Sequence, residues 1–587
     1  MIQELRVCLI GLLMPLAMGQ ETLPSIPGRE TVPLDADVAP LIEKVDPSLD
    51  RGWDSEVFSE AASAQLAQLA AMIEKGEGQW GTVIAPKLSS SSWRPEKLNV
   101  ALEDRLVRVA RGETETQEDQ SIEDLVSELR VKLKADSGFH VKFKIIRIRM
   151  EGQLAVCEAI FQAYASKEEG VYQQNAVWEC EWINAKVPLI SRIRVKDYEE
   201  ILSISGKGLH FEDTTAALLG SQSSYRGQLS LGADHWREHL QIEYGTDVNG
   251  LQGIALGDVN GDGWDDLYVC QPGGLPNRLY IRQPEGTLHD VSALAGVDWM
   301  ELTRAALLVD LDNDGDQDLV LSQDYYYMLM SNDGSGKFTK RLETRAPAKL
   351  RSVAAADIEG DGDLDLYFCG RNPSGDEDRS VLGFPLPYHD ANNGGPNVML
   401  VNEGDWKFAD KTLALGLNVN NRRFSFACSW EDYDNDGDQD LYVANDFGRN
   451  NLYRNDLNES GKFVDVARQL GVEDMSAGMS ITWGDVNRDG WMDAYISNMF
   501  SSAGNRITYQ RQFRTGNSKH LSSFQRHARG NTLFLNQQDK FEDVSVAANV
   551  TMGRWAWGAQ FTDLNNDGWE DLVVANGFIT TEDTSDL

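Results

Sequence analysis

The sequence predicts a mainly β chain, a six- or seven-bladed β-propeller with calcium-binding loops, preceded by a small α+β domain. Two observations carry that expectation. An Asp-rich loop of the form D-x-[D/N/E]-x-D-G-x-x-D recurs six times between residues 258 and 571. Each copy is flanked by short apolar, strand-like runs at matching offsets, and self-similarity at a fixed period marks a repeat architecture.

The bulk properties allow this. At 587 residues the chain is long enough for two or three domains, and 41% hydrophobic residues suffice to bury a core. The formal net charge of -38 argues against a nucleic-acid partner, whose phosphates need Lys and Arg. It fits a solvated acidic surface or a chain that takes up cations.

Taken in order, residues 1–19 read as a signal peptide. Residues 7–18 are mostly apolar, too short to span a membrane, and Ala17-Met18-Gly19 is a small-x-small cleavage site before Gln20. The other reading is an apolar N-terminal helix. The signal-peptide reading implies a secreted, periplasmic or cell-surface location, and no later apolar run is long enough for a membrane helix. Residues 20–50 carry Pro24, Pro27, Pro33, Pro40 and Pro47 among acidic residues and read as a linker. Residues 51–205 form the expected α+β domain, with helices over 55–73 and 122–133 and strands over 139–150, 153–166, 171–184 and 189–199. The alternation Val141-Lys142-Phe143-Lys144-Ile145 is that of a half-buried strand. This order of elements loosely resembles the cone-shaped domains of the nuclear-transport-factor type.

Removing residues 1–19 would take Cys8 and leave Cys157, Cys180, Cys270, Cys369 and Cys428. A hairpin turn over 167–170 sets Ser166 against Val171 and, in the same register, Cys157 opposite Cys180. These two form a candidate disulfide, and two free thiols would give the same sequence. Cys270 and Cys369 stand where Ala444 and Ala575 stand in other repeats, which suggests packing.

Residues 206–587 hold the repeats. The loops begin at Asp258, Asp310, Asp357, Asp432, Asp485 and Asp563, at spacings of 52, 47, 75, 53 and 78, a period near fifty with two insertions. After each loop comes a second strand, and further on, in the repeats before the sixth, an Asn-x-Leu-Tyr-like run (Asn277-Arg278-Leu279-Tyr280) and a Phe-x-Asp run (Phe463-Val464-Asp465). Four short strands per repeat cannot bury both faces alone, so successive sheets must stack. The sixth repeat lacks its later strands, and Phe211-Glu212-Asp213-Thr214 is a candidate final strand that closes the ring or caps an edge.

Calcium takes six to eight hard oxygen ligands in a tolerant geometry. Loop positions 1, 3 and 5 supply Asp258, Asn260 and Asp262; Asp310, Asp312 and Asp314; Asp357, Glu359 and Asp361; Asp432, Asp434 and Asp436; Asp485, Asn487 and Asp489; and Asp563, Asn565 and Asp567. Gly at position 6 allows the reversal. Position 7 offers a backbone carbonyl, from Trp264, Asp316, Asp363, Asp438, Trp491 or Trp569. Position 9 closes the shell with Asp266, Asp318, Asp365, Asp440, Asp493 or Asp571. About six calcium sites are therefore expected. Magnesium demands tighter octahedral geometry, and zinc would call for His or Cys. Polar turns without metal are the plain alternative, disfavoured because clustered carboxylates repel.

An EF-hand would need Glu at position 12, where Val269, Leu321, Phe368, Val443, Ile496 and Val574 stand. A dockerin-type module would follow each loop with a helix. From 209 to 587 the chain resembles instead the FG-GAP/VCBS repeat, the calcium-loop blade of integrin α-chains and bacterial surface proteins. The run Asn445-Asp446-Phe447-Gly448-Arg449-Asn450-Asn451-Leu452-Tyr453 resembles the cartilage-acidic-protein (ASPIC/UnbV-type) branch. That branch, whose members are secreted, usually continues into a C-terminal module not seen before Leu587.

The resemblance implies a non-enzymatic module that binds an extracellular protein or glycan, its identity unreadable here. The rival reading is an exported propeller enzyme of lyase or dehydrogenase type, which needs a titratable cluster outside the loops. His389 beside Asp390 has no accompanying nucleophile motif and reads as a rim loop. Arg506, Arg511, Arg514 and Arg526, with Lys519 and Arg529, form a candidate docking surface for an acidic partner. The alternative is that these cations pair with the protein's own carboxylates.

Overall fold

A computed structural model describes residues 54–577, apart from 104–106, 115, 118–120, 132–136, 153, 168–169, 205–212, 241–251, 374–384, 511–512 and 514–517. The signal-peptide and linker expectations, with Phe211, Glu212, Arg511 and Arg514, lie outside the described residues. The described residues fall into two compact units, one holding those before 213 together with 502–521, the other the remainder.

The first unit is a helix-covered sheet. The helix Asp54–Lys75 presents Phe58, Ala62, Leu66, Leu69 and Ile73 as one buried stripe, spaced at three to four residues as an amphipathic helix requires. That stripe packs on the long strand Ser137–Glu151. A second helix, Ile122–Arg130, opens on Ser121, whose hydroxyl caps the Asp124 amide. Ser137–Glu151, Leu154–Lys167, Gly170–Ile183 and Leu189–Ile204 form an antiparallel meander, extended by Val107–Gly112 and Asn99–Glu103. Strand Ile84–Ser91 runs parallel to Leu189–Ile204. The core is aromatic: the Trp178 ring lies 4.8 Å from Trp93, 5.0 Å from Phe143 and 5.2 Å from Phe161.

Within the hairpin, Ser166 pairs with Val171 and Cys157 with Cys180. Both thiols are buried and free, so the candidate disulfide is not formed in the structure. The Trp182 indole N–H donates to Cys157 Sγ at 3.0 Å. The segment 502–521, expected to belong to the repeats, packs in the first unit. Its helix Ser502–Thr508 lies on Ser137–Glu151, and Arg506 Nη2 donates to Glu56 Oε2 at 3.0 Å.

The second unit is a succession of antiparallel sheets. The first five have four strands each, in simple up-and-down order; the sixth has two, Ala556–Thr562 and Asp571–Asn576, among the described residues. The first strand of each sheet lies beside the first strand of the next. Four apolar clusters fill the spaces between sheets one and two, two and three, three and four, and four and five. Stacking on both sides explains why second strands such as Asp440–Asn445 are buried along their whole length. Asp213 and Thr214 lead into the helix Thr215–Leu219, which packs beside Leu288–Asp290 of the first sheet. The described part of that segment is thus not a strand of the sixth sheet. Helical residues Leu219, Tyr225 and Leu229 cover Tyr280 and Leu288 instead.

A strap recurs between sheets. Asn332, Asn402, Asn455 and Asn536, at the ends of third strands, donate through Nδ2 to the carbonyls of Val259, Leu311, Ile358 and Tyr433 at 2.8, 2.9, 3.0 and 2.8 Å. Each carbonyl belongs to the second position of the preceding sheet's Asp-rich loop, so the straps tie stacking to loop shape. Replacing Asn455 by Ala orphans the buried Ile358 carbonyl, and a loss of about 1–3 kcal/mol is expected in urea unfolding.

Candidate metal loops

All six loops share one backbone scaffold. The position 1 carboxylate accepts the amide of the position 6 glycine: Asp258 from Gly263 at 2.7 Å, Asp310 from Gly315 at 3.0 Å, Asp357 from Gly362 at 2.9 Å. Asp432, Asp485 and Asp563 do the same at 3.0, 2.9 and 2.8 Å. The position 5 carboxylate accepts the position 7 amide, as in Asp262 from Trp264 at 2.9 Å and Asp436 from Asp438 at 3.2 Å. These bonds curl the backbone tightly, and the position 6 glycine sits at φ between +81° and +97° in every copy, where a side chain is penalised. Position 4 is left-handed too, at Gly261, Asn313, Gly360, Asn435, Arg488 and Asn566. The Gly and Asn bias there was a readable signal that the loop pattern alone passed over.

Position 9 also serves the backbone. Its carboxylate is largely occupied by backbone amides: Asp318 accepts Asn332 N at 2.9 Å and Leu311 N at 2.9 Å. Asp365 accepts Asn402 N at 2.8 Å and Ile358 N at 3.2 Å, and Asp493 accepts Asn536 N at 2.7 Å and Val486 N at 3.1 Å. Asp266 follows the same pattern with Arg282 N and Val259 N at 2.8 and 3.1 Å. For these four the position 9 residue first pins the loop to the third strand, and only its remaining lone pairs face outward. Asp571 accepts Leu564 N at 3.0 Å, and Asp440 differs again: Oδ1 accepts Asn455 N at 2.7 Å, while Oδ2 is buried with no hydrogen-bond partner.

The loops split by what stands at position 3. Asn260, Asn487 and Asn565 turn their amides onto Asp262, Asp489 and Asp567 at 3.1, 2.9 and 3.0 Å, giving those carboxylates a donor within the loop. With an acid at position 3 that donor is absent. Carboxylate oxygens of Asp310, Asp312 and Asp314 lie within 4.8 Å of one another, as do those of Asp432, Asp434 and Asp440. Buried oxygens without partners cluster in the same two loops: Asp310 Oδ1 and Asp316 Oδ1, then Asp434 Oδ1, Asp438 Oδ1 and Asp440 Oδ2. Burial, followed by neighbouring carboxylates, pushes Asp316 up to about 6 and Asp438 to about 7. Burial outweighs the backbone amides to lift Asp318 to about 7 and Asp440 to about 8. Such oxygens, crowded and short of donors, match the hard oxygen shell that a divalent cation takes. Neighbouring loops also touch, since Asn313 Nδ2 donates to Asp363 Oδ1 at 2.7 Å and Asn435 Nδ2 to the Gly490 carbonyl at 3.1 Å.

The described arginines of the candidate docking surface are turned inward. Arg506 is held by Glu56, as above, and Arg526 Nε donates to Asp474 Oδ1 at 3.0 Å while its Nη1 meets Asp543. Arg529 Nη1 donates to Asp543 Oδ2 at 2.8 Å. His389 is buried against Phe524, ring centroids 4.8 Å apart, and Asp390 pairs with Arg449. No helix of the described residues is long and apolar enough to cross a membrane.

Comparison with known proteins agrees with the repeats. A family model of the FG-GAP-like repeat matches residues 258–321, 310–368, 432–496 and 522–574. Cartilage acidic protein 1 of Mus musculus is 30% identical over 124 residues, and that of Homo sapiens 29% over 126, in each case 20% of this chain and 19% of the relative. The chain thus matches about a fifth of the length of these relatives. Among solved structures, an Agrocybe aegerita lectin described for recognition of non-reducing terminal N-acetylglucosamine aligns at 15% identity. It covers 56% of this chain and 75% of its own, with a TM-score of 0.32. The Asp-rich loops on one scaffold thus coincide with FG-GAP-like repeats over 258–368, 432–496 and 522–574, and over a fifth of its length the chain is similar to cartilage acidic protein 1.

Proposed function

We propose that the chain is an exported, calcium-dependent interaction module: a β-propeller of six or seven blades over 206–587, with an α+β domain over 51–205, a linker over 20–50 and a signal peptide over 1–19. It acts by binding an extracellular protein or glycan and not by catalysis. The observation that carries the calcium reading is the set of buried, partnerless carboxylate oxygens in the loops beginning at Asp310 and Asp432. A bound cation would neutralise them and hold each loop in the shape that the Asn straps need, so metal binding becomes folding energy.

The loops with an acid at position 3 are expected to bind most tightly, having the greatest uncompensated charge. Calcium per chain, counted by elemental analysis after gel filtration, tests this. The wild type should carry several ions, and Asp434→Ala, which removes the position 3 oxygen altogether, should lose one while the other loops keep theirs. A metal-free wild type would end the calcium reading.

A further inference from the structure

The Asp-rich loops join first to second strands, so the connections between second and third strands, and between sheets, lie at the other end of the strands. There, around the fourth sheet, is a cavity of about 360 Å³ lined by Arg423, Arg449 and Arg468 with Asn420, Asp465 and two further acids. Its charges do not cancel pair by pair. Arg449 is fully engaged, Nε and Nη2 donating to Asp390 at 3.0 Å each and Nη1 to Glu473 at 2.6 Å. Asp465 Oδ2 accepts the Asn420 and Asn451 amides at 2.9 and 2.8 Å. Arg423 has no carboxylate at ion-pair distance among the described residues. It is 8% exposed, its Nη1 donates only to the Arg449 carbonyl at 2.9 Å, and its Nε is buried without a partner. Arg468, also on the lining, is exposed and likewise unpaired among the described residues.

A guanidinium held out of water without a counter-ion is costly, because it forfeits hydration and gains no charge-assisted bond in return. In a chain of net charge -38 carboxylates are abundant, yet none is placed on this group. We propose that the missing counter-ion is a ligand: the cavity binds a small hydroxylated carboxylate the size of one acidic sugar residue, its carboxylate on Arg423 and Arg468. The planar fork of arginine suits a carboxylate. Asp465, Glu473 and Asn420 supply acceptors and an amide for hydroxyls, and the volume is at the small end of ligand pockets, which run from about 300 to 1,000 Å³. This deepens the interaction reading and rests on it, while standing apart from the calcium loops at the opposite strand ends.

Calorimetric titration of the full chain in saturating calcium, with sodium glucuronate, sodium acetate, sodium sulfate and glucose as probes, decides the matter. Glucuronate should bind once per chain, acetate more weakly, and glucose not at all. Arg423→Met should weaken glucuronate by about tenfold or more, and Arg468→Gln by a smaller factor. The Met variant should melt no lower than wild type, because it removes a buried uncompensated charge; Arg423→Lys serves if it does not fold. Silence from both carboxylates at about 20 mM, well above millimolar dissociation constants, overturns the proposal. So do an Arg423→Met protein that binds as wild type and sulfate binding more tightly than glucuronate. Calcium content and melting, read on the same samples, show separately whether the calcium reading fails.

Discussion

Chelation of calcium is expected to lower the melting temperature of the chain by about 10 °C or more, and calcium, not magnesium, should restore it. The magnitude follows from linkage. A ligand present at a thousand times its dissociation constant stabilises the folded state by about 4 kcal/mol per site. The three loops with an acid at position 3, beginning at Asp310, Asp357 and Asp432, each carry acids at positions 1, 3, 5, 7 and 9. If only those are filled, about 12 kcal/mol is at stake, enough to move the transition of a large domain by more than ten degrees. Removal also leaves partnerless oxygens on Asp310 and Asp316 in one loop and on Asp434, Asp438 and Asp440 in another, beside further carboxylates of the same loops. Magnesium should substitute poorly, because it gives up its water reluctantly and demands a tighter octahedral shell than calcium. A differential scanning calorimetry trace unchanged by chelator would leave the Asp clusters as solvated turns.

Replacing Arg526 with Leu should cost about 3–5 kcal/mol, the typical penalty for breaking a buried ion pair from one side. Asp474 is completely buried (0% exposed), and its carboxylate is satisfied by Arg526 Nε at 3.0 Å, Asn498 Nδ2 at 3.1 Å and the Met475 amide at 2.8 Å. Without Arg526 that charge loses its direct ion pair and keeps only the more distant Arg529, and Asp543 loses one of its two arginines. The double variant Arg526→Leu with Asp474→Asn should recover part of the loss, since it removes the orphaned charge. The pH dependence has a definite sign. Burial pushes the Asp474 and Asp543 carboxyls up, but the Arg526 charge, together with Arg529 and hydrogen bonds from neighbouring side chains, outweighs it and holds both below the ordinary carboxylate range. Depressed carboxyls contribute stability that is present above their unfolded pKa and lost as pH falls through the folded one. The wild type should therefore lose stability on acidification below about pH 4, and the Arg526→Leu variant should lose less over that range. Urea titrations at several pH values read both effects. A variant within about 1 kcal/mol of wild type would show Arg526 to be a surface ion pair.

Much of the molecule was legible before any coordinates, because the signals were local. The loop pattern needs only nine consecutive residues to specify carboxylates at alternate positions and a glycine where φ turns positive. The hairpin register that sets Cys157 opposite Cys180 follows from one turn, since strand pairing propagates from it residue by residue. The helix Asp54–Lys75 and the long strands of the first unit were readable from periodicity to within a few residues.

What tertiary structure decided was which partner each polar group found. Alternation says that Asp318 faces inward, but not that its oxygens meet amides of Leu311 and Asn332. The Asn straps cross between sheets, joining Asn536 to Tyr433 over 103 residues. The inserted segment beginning at Ser502 packs with the first unit, and Arg506 reaches Glu56 across 450 residues. Arg423 stands within a basic stretch indistinguishable in sequence from Arg422 beside it, yet only its burial without a carboxylate marks it. Backbone conformation and face follow from near neighbours and can be read along the chain. The energy of a buried charge depends on its surroundings in space, and those are set only when distant segments close on one another.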